Sequence, residues 1–268
     1  MKSKDNYKNK FFLGALIIII ILGSDILLHK GMVRTLIPYT FIKNQAPADF
    51  LRCDQPLVSH SKDWAKAIDS VIAIENLDAK TGGFEVDIYF DSTINSFYVY
   101  HDSSGISTIK IEQILDIYKN RNLSASIWFD FKNLNGANHD KALAAFVAIR
   151  KKYGLQNKMI IESSNIKYLA TYCENGFFTS YYTPFFNPYQ LKKNDLKKII
   201  DSISSNLQRY PVSALSGYYF QYPFLKKYFP GYPILTWAAK SNFSMVSFIF
   251  NYSLQKDDHL KIILYTIN

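Results

Sequence analysis

From residue 57 onward the sequence alternates between short β-rich runs and helical stretches, and this alternation restricts the fold more than any other feature. The β-rich runs fall at 57–60 (LVSH), 84–91 (FEVDIYFD), 97–101 (FYVYH), 126–131 (SIWFDF), 158–163 (KMIIES), 177–183 (FFTSYYT), 212–218, 232–237 (YPILTW) and 260–266 (LKIILYT). Helical stretches lie between most of them, at 62–74, 111–121, 139–153, 165–175, 194–209 and 243–255. Strand and helix taking turns through one domain argue for a parallel sheet. Eight or nine such strands fit a closed barrel, so the expected fold is α/β, a TIM-type (β/α)8 barrel over 57–268. Only Ser92–Ser96 separate the second and third runs, so a loop or hairpin replaces one helix.

Two segments precede the barrel. Residues 1–28 hold an unbroken apolar run, Phe11–Leu22, behind four lysines, which is the pattern of a signal anchor or signal peptide. The strict run is short for a span, yet no A-x-A-like cleavage site follows, and extension to Leu28 nearly reaches spanning length. The anchor reading is preferred, with the N-terminus in the cytoplasm; either reading places the domain outside, and cleavage would make it secreted. Residues 29–56 read as an irregular connector with Pro38, Pro47 and Pro56. More than half of the +9 net charge lies in residues 1–43, beside the apolar run. There it orients a membrane segment and does not indicate nucleic-acid binding. Cys53 and Cys173 are open to two readings, a disulfide outside the cytoplasm or two unrelated thiols.

The ionisable residues fall at strand ends. His60 is expected to end the first strand, and His101 the third. Glu85 and Asp87 sit two apart on the second, so both side chains face the same side. Asp130 lies near the end of the fourth, with Lys132 two residues on. In a parallel barrel the C-terminal strand ends open onto one face, where active sites are found. Three carboxylates without a thiolate suit a hard divalent cation, Mg²⁺ or Ca²⁺ rather than zinc. Two histidines supply acid/base or nucleophilic groups, and a lysine neutralises a phosphate oxygen. Each residue alone also has a bland reading as a barrel-interior ion pair, but charged groups on an apolar strand are costly without a cation or partner.

The order H … GFEVDIYFD … FYVYHD … WFDFK resembles the glycerophosphodiester phosphodiesterase-like superfamily of TIM-barrel phosphodiesterases. The E-x-D-x-x-F-D, Y-x-Y-H and F-D-x-K runs look more like its sphingomyelinase D-type phospholipase branch. The likeness is strongest over residues 57–132; later, LTWAAKSN resembles the family's W-T-x-(N/D) segment. The resemblance implies Glu85, Asp87 and Asp130 as Mg²⁺ ligands, His60 and His101 as the catalytic pair, and Lys132 and Trp237 as contacts to substrate. The sequence departs from the pattern in three places: Ser61 stands where the family has arginine after the first histidine, STINS replaces its T-x-D-G turn, and the short stretch between His101 and the next helix leaves no room for the small insertion domain common in that branch. A menorin-like group shares the short barrel with E-x-D.

These readings converge on a metal-dependent phosphodiesterase acting on glycerophosphodiesters or phospholipid headgroups near a membrane. The alternative is a catalytically inactive, membrane-tethered barrel acting as a binding module. A metal-independent phosphatidylinositol phospholipase C is disfavoured by the three carboxylates. Tyr181, Tyr182, Phe185, Phe186, Tyr218 and Tyr219 are expected to form either an apolar rim for lipid or barrel–helix packing.

Overall fold

A computed structural model describes residues 2–38, 42, 49–101 and 105–266. It divides into two compact units, one of residues 1–39 with 239–257, the other of residues 40–238 with 258–268. In chain order the elements are α1 (Lys2–Leu28), α2 (Lys30–Leu36), β1 (Asp63–Lys66), α3 (Val71–Asn76), β2 (Gly83–Asp91), β3 (Ser96–His101) and β4 (Gly105–Lys110). Next come α4 (Ile111–Asn120), β5 (Ser126–Phe131), α5 (His139–Tyr153), β6 (Met159–Ser163), α6 (Ile166–Glu174) and β7 (Phe178–Tyr182). The chain closes with α7 (Lys193–Leu207), β8 (Ala214–Tyr218), α8 (Tyr222–Tyr228), β9 (Ile234–Trp237), α9 (Met245–Lys256) and β10 (Leu260–Thr266).

The larger unit is a TIM-type barrel. Its staves run β1-β2-β5-β6-β7-β8-β9-β10, all parallel, and β10 pairs back onto β1 to close the ring. Alternate residues of the staves point inward. Trp64, Trp128, Ile160, Phe178, Ala214, Leu235, Ile262 and Leu264 form one buried interior cluster. Burial of this set, at roughly 25 cal/mol per Å² of apolar surface, is what holds the ring together. Gly83 of β2 is required by it: a Cβ there would meet the Trp64 indole at 2.3 Å. Outer helices bury one stripe each, as α7 does with Leu196, Ile200, Ile203 and Leu207.

Two expectations from the sequence are corrected. Residues 57–60 are not the first stave, which is the short DWAK run at 63–66; the helix expected over 62–74 shrinks to α3. DWAK was hidden because it has four residues with an ionisable group at each end, whereas LVSH opens on two apolar residues and ends on a histidine. Residues 97–101 are likewise no stave. They form β3, antiparallel to β2, and with β4 make a hairpin extending from the β2 stave.

The end of the segment read as a connector, from residue 51, closes the N-terminal mouth of the barrel together with residues 57–60. Cys53 N–H donates to Val212 O just before β8, Val58 N–H donates to Asn157 O before β6, and Ser126 Oγ donates to Val58 O. A Cys53–Cys173 disulfide ties this strap to α6, with Cα atoms 6.1 Å apart.

In the smaller unit, α1 carries an 18-residue apolar stretch, Phe11–Leu28, of mean hydropathy 2.7, long and apolar enough to cross a membrane. The Asp25 carboxylate accepts hydrogen bonds from Ser244 Oγ (2.5 Å) and Val246 N (3.0 Å), and lies 2.9 Å from His29 Nδ1.

Candidate active site

The C-terminal ends of the staves gather the site. Glu85 and Asp87 face inward from β2, and Asp130 from β5, with Asp87 and Asp130 paired in register. One oxygen from each of the three carboxylates lies within 4.8 Å of the other two. Beside them Lys132 Nζ donates to Asp130 Oδ2 at 2.6 Å and lies 3.2 Å from Asp87 Oδ1. These groups share a cavity of about 240 Å³ with Lys66, Ala67, Tyr182, Tyr218 and Trp237.

Backbone geometry aims these groups. At the end of β1 the chain turns through Ala67 in the left-handed region, φ 57°. This conformation costs a non-glycine residue energy and is enriched at functional sites. The turn lets Ala67 N–H donate to Glu85 Oε2 at 3.1 Å. Two residues on, Asp69 Oδ1 accepts from the Asp87 amide at 3.0 Å and fixes the β2 backbone beneath the carboxylates.

The electrostatics show a concentration of negative charge in a dry place. Burial, then the neighbouring Asp87 and Asp130 charges, push the Glu85 carboxyl up to about 8. Burial and Asp130 likewise push Asp87 up to about 7, opposed by Lys132. One stave further on, Glu162 of β6 pairs in register with Asp130. It is held by Trp128 Nε1 and Ser216 Oγ, and burial followed by Asp130 drives its carboxyl well up. Protonation, the Lys132 ammonium, or a bound cation relieves such a cluster. All-oxygen donors at this spacing fit a hard divalent cation, and Glu85, Asp87 and Asp130 are the residues that would hold it.

The structure brings five of the residues expected from sequence to this mouth: Glu85, Asp87, Asp130, Lys132 and Trp237. His60 is not among them. It is exposed in the strap before β1, at the opposite end of the barrel from the carboxylates. The four residues of β1, at about 3.3 Å each, alone put it more than 10 Å away along the strand direction. The residue that ends the first stave is Lys66, whose Nζ stands 5.5 Å from the centre of the Trp237 ring. Sequence reasoning missed it because the stave was placed six residues too early. His101 ends β3, where its backbone pairs with Gly105; its side chain lies outside the described residues.

Missed too was Glu162, whose only signal was a lone carboxylate in the apolar run MIIES. The aromatic residues divide. Tyr182 and Tyr218 line the cavity and pack edge-on against Trp237, with ring centres 5.4 and 4.8 Å away. Phe185 extends this wall against Tyr218 and is exposed, whereas Tyr181 and Phe186 are buried packing.

No protein family model and no curated protein matches this sequence. Solved structures share the fold at low identity. One is assigned as a glycerophosphoryl diester phosphodiesterase from Silicibacter pomeroyi, with TM-score 0.53 and 11% identity over 79% of this chain and 91% of that one. Another, assigned as a glycerophosphodiester phosphodiesterase from Galdieria sulphuraria, has TM-score 0.51 and 11% identity over 78% and 94%. A third, assigned as a glycerophosphoryl diester phosphodiesterase from Agrobacterium tumefaciens, has TM-score 0.51 and 8% identity over 76% and 93%. The barrel therefore has the fold seen in glycerophosphodiester phosphodiesterases.

Proposed function

We propose that this chain is a metal-dependent phosphodiesterase acting on glycerophosphodiesters or phospholipid headgroups, held at a membrane by α1 with the barrel outside the cytoplasm. The observation that carries the reading is the convergence of Glu85, Asp87 and Asp130 oxygens within 4.8 Å at the C-terminal mouth, flanked by lysines. Mg²⁺ is the expected ion and Ca²⁺ the alternative. When bound, it would polarise the phosphoryl group and offset its charge.

The chain's own residues do the rest. Lys66 and Lys132 approach from two sides and offset the charge that grows on the phosphoryl oxygens. Lys66 thus stands at the stave end where the resemblance led one to expect a histidine. His101 remains the candidate acid/base group. Tyr182, Tyr218 and Trp237 form an apolar wall that orients the substituent of the phosphate and excludes water from that side. The fold shared with the phosphodiesterases above supports the reaction class. The Cys53–Cys173 disulfide supports an oxidising, extracytoplasmic setting.

The test is hydrolysis of glycerophosphocholine and lysophosphatidylcholine by the full chain in detergent, with Mg²⁺ or with chelator. Activity should require the ion and be lost in Asp87→Asn and Lys66→Met, while His60→Ala retains it. Undiminished turnover in chelator, or in Asp87→Asn, refutes the mechanism. Saturable Mg²⁺ binding without turnover of any diester would instead support the inactive binding module.

A further inference from the structure

The smaller unit contains a helix that buries one face and exposes an apolar one. Along α9 the residues Ser247, Phe250, Asn251 and Leu254 are buried, spaced i, i+3, i+4, i+7. The same spacing repeats on another face as Met245, Phe248, Ile249 and Tyr252, and all four are exposed. Phe248 keeps 71% of its surface accessible and Met245 60%, and Phe243, just before the helix, is fully exposed. A helix packed on a soluble domain carries polar residues on its outer face; one whose outer face is apolar presents a patch that marks a second, apolar environment.

The position of α9 identifies that environment. Its first turn is fastened to α1 at Asp25, which accepts hydrogen bonds from Ser244 Oγ and Val246 N. Asp25 lies near the end of the Phe11–Leu28 apolar stretch, followed by the exposed Ile26, Leu27 and Leu28. Phe243 and Met245 flank the residue that makes this contact. The stripe therefore begins where the apolar helix ends. Basic residues accompany it: Lys30 and Arg34 on α2, Lys240 before α9, and Lys256 at its end. Exposed aromatic and aliphatic groups with cations beside them are the chemistry of a helix lying in a bilayer interface with anionic headgroups.

We propose that the Phe243/Met245/Phe248/Ile249/Tyr252 face of α9 is a membrane-embedded surface that lies in the outer leaflet beside α1. The proposal rests on α1 serving as a membrane anchor. It adds a second contact that fixes the orientation of the smaller unit on the bilayer, where a single span would leave it free to tilt.

The test uses the full chain reconstituted in phosphatidylcholine–phosphatidylglycerol vesicles. A nitroxide is placed singly at Met245→Cys, Phe248→Cys, Ile18→Cys and, as an aqueous reference, Val147→Cys on α5. The two native cysteines are already paired. Collision with oxygen should exceed collision with a water-soluble nickel chelate several-fold at 18, 245 and 248, with the reverse at 147. Lipid-like behaviour at 18 with water-like behaviour at 245 and 248 overturns this proposal and leaves the anchor standing. Water-like behaviour at 18 removes the anchor and the proposal with it. Protection from both reagents at 245 and 248 assigns the face to a protein partner and overturns the bilayer as its occupant.

Discussion

Lys132 Nζ lies 2.6 Å from Asp130 Oδ2, closer than any other cation described at the carboxylate cluster, and reaches Asp87 Oδ1 at 3.2 Å as well. The ammonium thus occupies part of the coordination that a divalent ion would use. A metal held by Glu85, Asp87 and Asp130 would compete with it for two of these three carboxylates.

Lys132→Met should therefore bind Mg²⁺ more tightly while turning over more slowly. Calorimetry is expected to show a several-fold lower Kd, because the competing charge is gone. The rate is expected to drop by about 10²-fold or more, the usual cost of losing one group that stabilises transition-state charge. Weaker binding together with an unchanged rate would show that Lys132 supports the ligands and takes no part with the phosphate.

The raised carboxyls predict the pH dependence of stability. Glu85 and Asp87 titrate in the folded protein at about 8 and about 7, against about 4 in an unfolded chain. Between these values the folded state holds protons that the unfolded state has lost. The metal-free protein should thus lose stability as pH rises from about 4 to 8, and keep this contribution in full only below the unfolded values. In chelator, the melting temperature should be higher at pH 5 than at pH 8, and Mg²⁺ should raise it more at pH 8. A metal-free melting temperature that rises over this range would contradict the buried-carboxylate account.

The carboxylates were legible because E-x-D and D-x-K place two groups on one face of a strand whatever the exact stave boundaries are. The histidine was not, because its placement depended on locating a four-residue stave. LVSH opens on two apolar residues like a short buried strand, but Val58 N–H finds its acceptor in the Asn157 loop carbonyl and not in a ladder. Lys66 went unnoticed for the same reason: it ends a run with one tryptophan and one alanine between two charged residues. The aromatic wall was legible only as an alternative. Tyr181 and Tyr182 are adjacent in sequence, so which of them faces the cavity depends on stave parity.

Gly83→Ala tests the interior packing. The added methyl group would fall 2.3 Å from the Trp64 ring. The indole cannot slide aside without cost, because Trp64 Nε1 donates to Ser61 O at 3.1 Å and to Ser59 Oγ at 3.2 Å in the strap. Overpacking of this kind typically costs about 1–3 kcal/mol. Urea denaturation should show that loss as a lower midpoint at unchanged slope; an unchanged midpoint would mean that the strap yields with the indole.

The disulfide tests whether the strap matters to the barrel as a whole. Cys53 and Cys173 are 120 residues apart in sequence, so the bridge removes much conformational freedom from the unfolded chain. Chain-entropy arguments put the gain for a loop of this order at up to about 5 kcal/mol. Gln55 Nε2 also donates to Cys173 O at 3.0 Å, which keeps strap and helix aligned without the bridge. The double variant Cys53→Ser, Cys173→Ser should therefore fold but denature at a markedly lower urea concentration. Its Mg²⁺ affinity should stay close to wild type, because the strap closes the N-terminal mouth while the carboxylates stand at the C-terminal one. Loss of metal binding in a variant that still melts cooperatively would show instead that the strap sets the position of the β2 and β5 staves through Ser126 and Val58.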